Sequence, residues 1–256
     1  MNLALSALLN VAPDILAQFF LVFLRVSSAL FVLPVLGETM VPNRVRLAVA
    51  FAFSLVVYPA VLPMFDFGEP DRTYLASGFG EILTGLLIGL MLRLHVMAIQ
   101  IAASIAAQTT SLSQLLGDTS IDPQPAMGLV LYLAALALAV ELGLHVQFAR
   151  MFIFSYNTIP FGQLVSADVA GTVRDAVSVA FRFGLALAAP FVAVSLLYNL
   201  ALGVINRAMP QLMVAFVGAP AITFGALLLL ALTAPYILTV WVSELQNRIL
   251  DPFGAR

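Results

Sequence analysis

Glu141 and His145 stand four residues apart in an apolar stretch, a spacing that puts both side chains on one face of a helix. A carboxylate and an imidazole so placed can share a proton or begin a metal site. No His-Glu-x-x-His pattern accompanies them and no third ligand is recognisable by spacing, so a hydrogen bond joining two helices is the expected use. A second group, Arg25, Glu81, Arg93, His95 and Arg182, consists of ionisable side chains inside apolar runs. Each such residue costs about 2.5 to 3.5 kcal/mol in lipid on insertion scales, which marks it as functional by default. Two uses compete: a proton or ion pathway, or pairing with opposite charges on partner subunits. Arg25, Glu81, Arg93, Glu141 and His145 are the candidates for contacts between subunits, and for Arg25 the inter-subunit pairing is the expected one.

Other chemistry is poorly provided for. The chain has no cysteine and only two histidines, His95 and His145. That excludes disulfides, thiolate catalysis and cysteine-ligated metals, and leaves little room for a metal site. There is no phosphate-binding Gly-x-x-x-x-Gly-Lys loop, no dinucleotide glycine fingerprint and no Gly-x-Ser-x-Gly elbow. Ser104, Ser111 and Ser113 have no neighbouring histidine in sequence. No catalytic, cofactor-binding or metal residue is assigned, and any energy for transport must come from outside the chain.

The elements that would position these residues follow from composition. Of 256 residues 62% are hydrophobic and 9% charged, with mean hydropathy +1.06, whereas a soluble domain carries roughly a quarter charged residues. Apolar runs of about 20 residues or more, long enough to cross a bilayer, cover Ile15–Leu36, Val45–Phe65, Leu75–Ala107, Ala126–Phe148, Ala176–Ile205 and Leu212–Val242. A chain in lipid must satisfy its own backbone polar groups, so these six segments are expected as helices paired into hairpins, an all-α membrane protein. No basic residue precedes the first apolar stretch, so that segment is expected to be retained and not cleaved as a signal peptide. Net charge is −2, with eleven arginines and no lysine, and no basic patch or tail suits nucleic acid. An alternating six-pass arrangement puts Arg44, Arg46 and Arg207 on one side and Arg72, Arg150, Arg174, Arg248 and Arg256 on the other. The first group lies on shorter loops, so the positive-inside rule leaves orientation open.

Two interruptions stand out. Residues 75 to 116 contain no proline and would form a helix of roughly 60 Å, about twice the hydrocarbon thickness, that either bends into two pieces or projects beyond the bilayer. The Gly85 to Gly89 spacing within it offers a close-packing face. Gln108 to Pro125 (QTTSLSQLLGDTSIDPQP) is then too polar for hydrocarbon, yet Leu112, Leu115 and Leu116 make it too apolar for a freely solvated linker. At membrane depth such a segment must line a cavity or be buried in protein; otherwise it is a surface loop. The second interruption lies between the last two runs, where Asn206, Arg207, Pro210 and Gln211 form a hairpin tip. Pro210 lacks an amide donor and biases Met209 away from helical geometry, so the preceding helix should end near it.

The order Asn199 to Val214 (NLALGVINRAMPQLMV), followed by Gly218-Ala219-Pro220, resembles the FliR/SctT family, which supplies an export-gate component of flagellar and virulence type III secretion systems. Phe23-Leu24-Arg25-Val26, Leu33-Pro34, Val41-Pro42-Asn43-Arg44-Val45-Arg46-Leu47 and Ala188-Ala189-Pro190 extend the resemblance along nearly the whole chain. The Asn-Arg-x-x-Pro-Gln core at the tip is its most specific part.

The resemblance implies a subunit that joins FliP-like and FliQ-like membrane proteins in a conical, helically arranged hetero-oligomeric channel for unfolded export substrates. FlhB-like and FlhA-like components stand nearby, membrane lipid surrounds the assembly, and its place is the flagellar basal body in the bacterial inner membrane. It also implies a FliP-like half over 1–150, a linker over 151–175 and a FliQ-like helical hairpin over 176–256. Residues 108–125 would plug the closed channel, with Gln108, Ser111, Leu112, Leu115, Leu116, Gly117 and Asp118 as its candidates. Asn206, Arg207, Pro210 and Gln211 would serve the hairpin tip and assembly. One departure concerns the plug, where Thr109 and Thr110 follow Gln108 and the family tends to place a glycine. The virulence homologue is the alternative within the family. An ion-coupled secondary transporter using Glu81, Arg93, Glu141 and His145 is the alternative of another class.

Overall fold

A computed structural model describes residues 2–34, 36–37, 41–64, 74–108, 126–163, 167–209 and 214–250. Among them all regular structure is helical: α1 (Asn2–Val32), α2 (Asn43–Val61), a 3-10 turn (Leu62–Met64), α3 (Tyr74–Gln108), α4 (Ala126–Glu141), α5 (Leu144–Thr158), α6 (Ala167–Ala208) and α7 (Val214–Leu250). Among the described residues five helices are long and apolar enough to cross a membrane, and α4 with α5 counts as a sixth span if the bent pair is taken together. The class read from composition, an all-α membrane protein, therefore holds.

Where the helices end follows local chemistry. Pro59 lies in the last turn of α2, where its missing amide disturbs only the final bonds before the chain tightens into the 3-10 turn. The long third run is one unbroken helix of 35 residues, about 52 Å at the α-helical rise and longer than a hydrocarbon core. Of the two possibilities for it, a bend into two pieces does not occur over Tyr74–Gln108, while residues 109–116 of the run lie outside the described residues. α6 ends at Ala208, just ahead of Pro210 as expected, although Pro210 and Gln211 themselves lie outside the described residues.

The fourth run departs from expectation. Ala126–Phe148 was expected as one segment, but it breaks after Glu141 and α5 leaves at 69° to α4. Gly143 makes the break, adopting φ 76°, a left-handed conformation that costs L-residues with a Cβ roughly 1–2 kcal/mol. α5 then runs to Thr158, so residues 151–158 of the expected linker are helical.

The helical chain forms two units. One comprises residues 1–94, 143–176 and 246–256, the other 95–142 and 177–245. In the first, α1 packs along α2 and α2 along α5. Val22, Val26, Leu30, Leu33, Val57, Val61, Ile88, Leu92, Met151 and Phe152 form its buried core. Edge-on aromatic contacts, Phe19 with Phe51 and Tyr58 and Phe53 with Phe152, knit the same faces together. In the second unit small residues set the spacing. A Cβ on Gly184 would come within 2.8 Å of the Ala98 carbonyl, and one on Gly128 within 3.1 Å of the Ala103 carbonyl. Burial is uneven among the spans: 61% of the apolar window of α3 is buried, against 17% for α6 and 11% for α7. The outer faces of α6 and α7 thus require lipid or other protein to cover them.

Candidate functional site

The first unit is organised around a charge. Arg25 and Glu81 are both fully buried. The Arg25 Nε–H donates to Glu81 Oε2 at 2.6 Å and its Nη2 to Oε1 at 3.0 Å, a two-point guanidinium–carboxylate contact. Nη1 donates to Ser155 Oγ at 3.1 Å and Nη2 to the Ile159 carbonyl at 3.1 Å. The Ser155 hydroxyl passes its own hydrogen to the Phe152 carbonyl at 2.7 Å. On the carboxylate side, the Tyr156 hydroxyl donates to Oε2 at 3.3 Å and the Gly162 amide to Oε1 at 3.2 Å. The Tyr156 ring also lies beneath the guanidinium, 3.7 Å from Arg25 Cζ to its centroid.

Backbone approach makes this reach possible. A Cβ on Gly85 would overlap the Arg25 carbonyl and Ser28 Oγ, and one on Gly89 would press on the Ala29 carbonyl. The Gly85 to Gly89 notch therefore does what its spacing predicted: it draws α1 against α3 closely enough for the pair to close. Two buried charges with several additional hydrogen bonds are compatible with an apolar interior; either one alone would be strongly destabilising. The junction ties α1, α3, α5 and the 159–162 turn into one body and carries no group arranged for bond-breaking chemistry. The expectation that Arg25 pairs across a subunit boundary is thereby corrected, because Glu81, another of the inter-subunit candidates, meets it within the chain.

A second polar lock lies in the other unit. His95 is held between the rings of Phe183 and Trp241, each 5.5 Å away and tilted by 23°. His95 Nε2 lies 3.1 Å from the Trp241 carbonyl, and Trp241 Nε1 donates to the His95 carbonyl at 3.2 Å. This reciprocal pair joins α3 to α7. The sequence offers this histidine for a pathway or for pairing with a partner subunit; it does not point to Trp241, although a single tryptophan in so apolar a chain is a visible signal.

The remaining described candidates take no part in these two junctions. Glu141 and His145 lie on opposite sides of the break at Gly143, both exposed, so they do not share one helical face. Arg93 lines a cavity with Arg46 at the α1–α2 turn and donates from Nη1 to the Val32 carbonyl at 3.4 Å. Asn206 and Arg207 are exposed at the end of α6. Gln108 is exposed at the end of α3, and Ser111, Leu112, Leu115, Leu116, Gly117 and Asp118 lie outside the described residues. No cluster of three or more histidine, aspartate or glutamate residues suited to a metal occurs among the described residues.

Polar junctions buried in long apolar helices, with two spans left largely uncovered, define a helical membrane protein. The chain belongs to the bacterial export proteins, family 1, whose sequence model matches residues 16–248. It is 32% identical over 241 residues to the flagellar biosynthetic protein FliR of Caulobacter vibrioides, covering 91% of this chain and 94% of that one. The flagellar biosynthetic protein FliR of Escherichia coli is 28% identical over 247 residues, 91% of each chain. That of Aquifex aeolicus is 29% identical over 251 residues, 92% of each. The resemblance drawn from the hairpin-tip residues is thus a family membership.

Proposed function

We propose that this chain is the FliR-type subunit of a flagellar type III protein export gate in the bacterial inner membrane, a non-enzymatic part of the channel for unfolded export substrates. The observation that carries this reading is the near full-length likeness to several proteins named flagellar biosynthetic protein FliR. The lengths of α6 and α7, 42 and 37 residues, support it, since a chain that works alone in lipid has less need of spans longer than the bilayer. In this proposal residues 1–150 act as a FliP-like half and 176–256 as a FliQ-like hairpin, with the polar tip around Asn206 and Arg207 facing the entrance. The partners are FliP-like and FliQ-like subunits, with FlhB-like and FlhA-like components beside them at the basal body. Residues 108–125 form the plug.

Native mass determination of the tagged complex, extracted in mild detergent, tests the assembly. One copy of this chain with several copies of two smaller hydrophobic subunits is the expected composition. A stable, monodisperse monomer or homodimer would instead support an ion-coupled transporter. Deletion of residues 108–125 should raise ion conductance through the assembled channel, and unchanged conductance removes the plug assignment.

A further inference from the structure

α6 turns one face to the rest of its unit. Ala180, Leu187, Ala188 and Phe191 are buried, Phe183 stacks on His95, and Gly184 lies against the Ala98 carbonyl. At about 100° per residue, Arg182, Leu185, Ala189 and Leu196 fall on the opposite face, and all four are exposed. We propose that this face docks an apolar helix of a partner subunit whose aspartate or glutamate pairs with Arg182. The inference takes the existence of a partner from the export-gate reading and adds what that partner must carry.

The first observation is an uncompensated charge. Arg182 is the one charged residue of α6 between Asp175 and Arg207. It makes no hydrogen bond or ion pair with any described residue. Among the described residues its unit holds two carboxylates, Glu141 and Glu244. Neither of them meets Arg182.

The second observation is what surrounds that charge. Phe181, Leu185 and Leu196 are 60%, 58% and 68% exposed, and Ala186, Ala189 and Ala193 are exposed among them. In water this face would be a bare apolar patch, whereas in hydrocarbon it would hold an unneutralised cation. Neither solvent satisfies both parts of it.

A protein helix does. Its apolar side chains cover the leucines, while one carboxylate takes the guanidinium at two points, as Glu81 takes Arg25 within the first unit. The charge also sets the sign of the partner, because a lysine or arginine brought to the same place would be repelled. The short side chains at 186, 189 and 193 allow the two backbones to approach closely.

The test uses the full tagged chain in its own bacterial membrane, with the photo-cross-linker p-benzoylphenylalanine replacing Ala189. The expected adduct joins an apolar peptide of a second protein, with an aspartate or glutamate within about two turns of the linked residue. Arg182→Glu should cut its yield about tenfold. Arginine in place of that carboxylate in the partner should restore it, and this rescue separates docking from folding, since a misfolded chain would not answer to the partner's charge. An adduct with no nearby carboxylate, a yield indifferent to Arg182→Glu, or failure of the rescue overturns the proposal. The export-gate reading would then still stand on the composition of the extracted complex. An adduct with lipid alone overturns the proposal by leaving membrane on this face, and a chain extracted without any partner overturns both.

Discussion

Arg25 on α1 and Glu81 on α3, 56 positions apart, meet through two hydrogen bonds of 2.6 and 3.0 Å in an environment neither shares with solvent. Ser155, Tyr156, Ile159 and Gly162 complete their hydrogen bonding, so one ion pair fixes four segments of the chain. The relationship makes these two residues inseparable as targets.

Removing one partner leaves the other charge buried without compensation. Arg25→Ala and Glu81→Ala should each destabilise the protein by about 3–5 kcal/mol, whereas the paired change Arg25→Met with Glu81→Leu should lose far less. Thermal unfolding of the three variants in detergent, assembled into a double-mutant cycle, measures the coupling. Additive losses would mean that the pair is not the unit that matters.

Gly85 has no room for a methyl group. Gly85→Ala should force α1 and α3 apart and destabilise by about 1–3 kcal/mol, with the Arg25–Glu81 contact lengthening. Gly203 in α6, where a Cβ meets nothing within 4 Å, provides the comparison. Gly203→Ala should leave the isolated chain unchanged or more stable by up to about 1 kcal/mol, the helix-propensity gain. Similar losses at both sites would count against the close-packing account.

Trp241→Phe keeps the ring against His95 but removes the donor to the His95 carbonyl. An unsatisfied buried group costs about 1–3 kcal/mol, and here the His95 carbonyl retains its helical role, so the low end of that range is expected. Faster amide exchange along α7 near residue 241, with α6 less affected, is the signature to measure. His95→Leu should produce the same local loosening by deleting the opposite bond.

The bend at Gly143 predicts a backbone effect without loss of any side-chain contact. Its φ is 76° and a Cβ there meets nothing within 4 Å. Gly143→Ala should therefore cost about 1–2 kcal/mol from the left-handed backbone alone. D-alanine introduced by semisynthesis should restore the stability, and failure of that rescue would point to an interaction at the glycine other than its conformation.

By itself the sequence determined the class. Long apolar runs cannot leave backbone groups unpaired in lipid, so helices were obligatory, and Pro210 placed the end of α6 within two residues. The residues at the hairpin tip also carried the family. Tertiary structure alone decided which charges pair. Arg25 and Glu81 were visible as anomalies, but an ion pair between residues 56 positions apart depends on which helix faces meet, and apolar letters do not encode helix rotation. The same holds for Glu141 and His145, whose regular spacing implied a shared face until one glycine turned the chain between them. Helical periodicity is a local property and survives in the sequence, whereas the partner of a buried charge is set by packing.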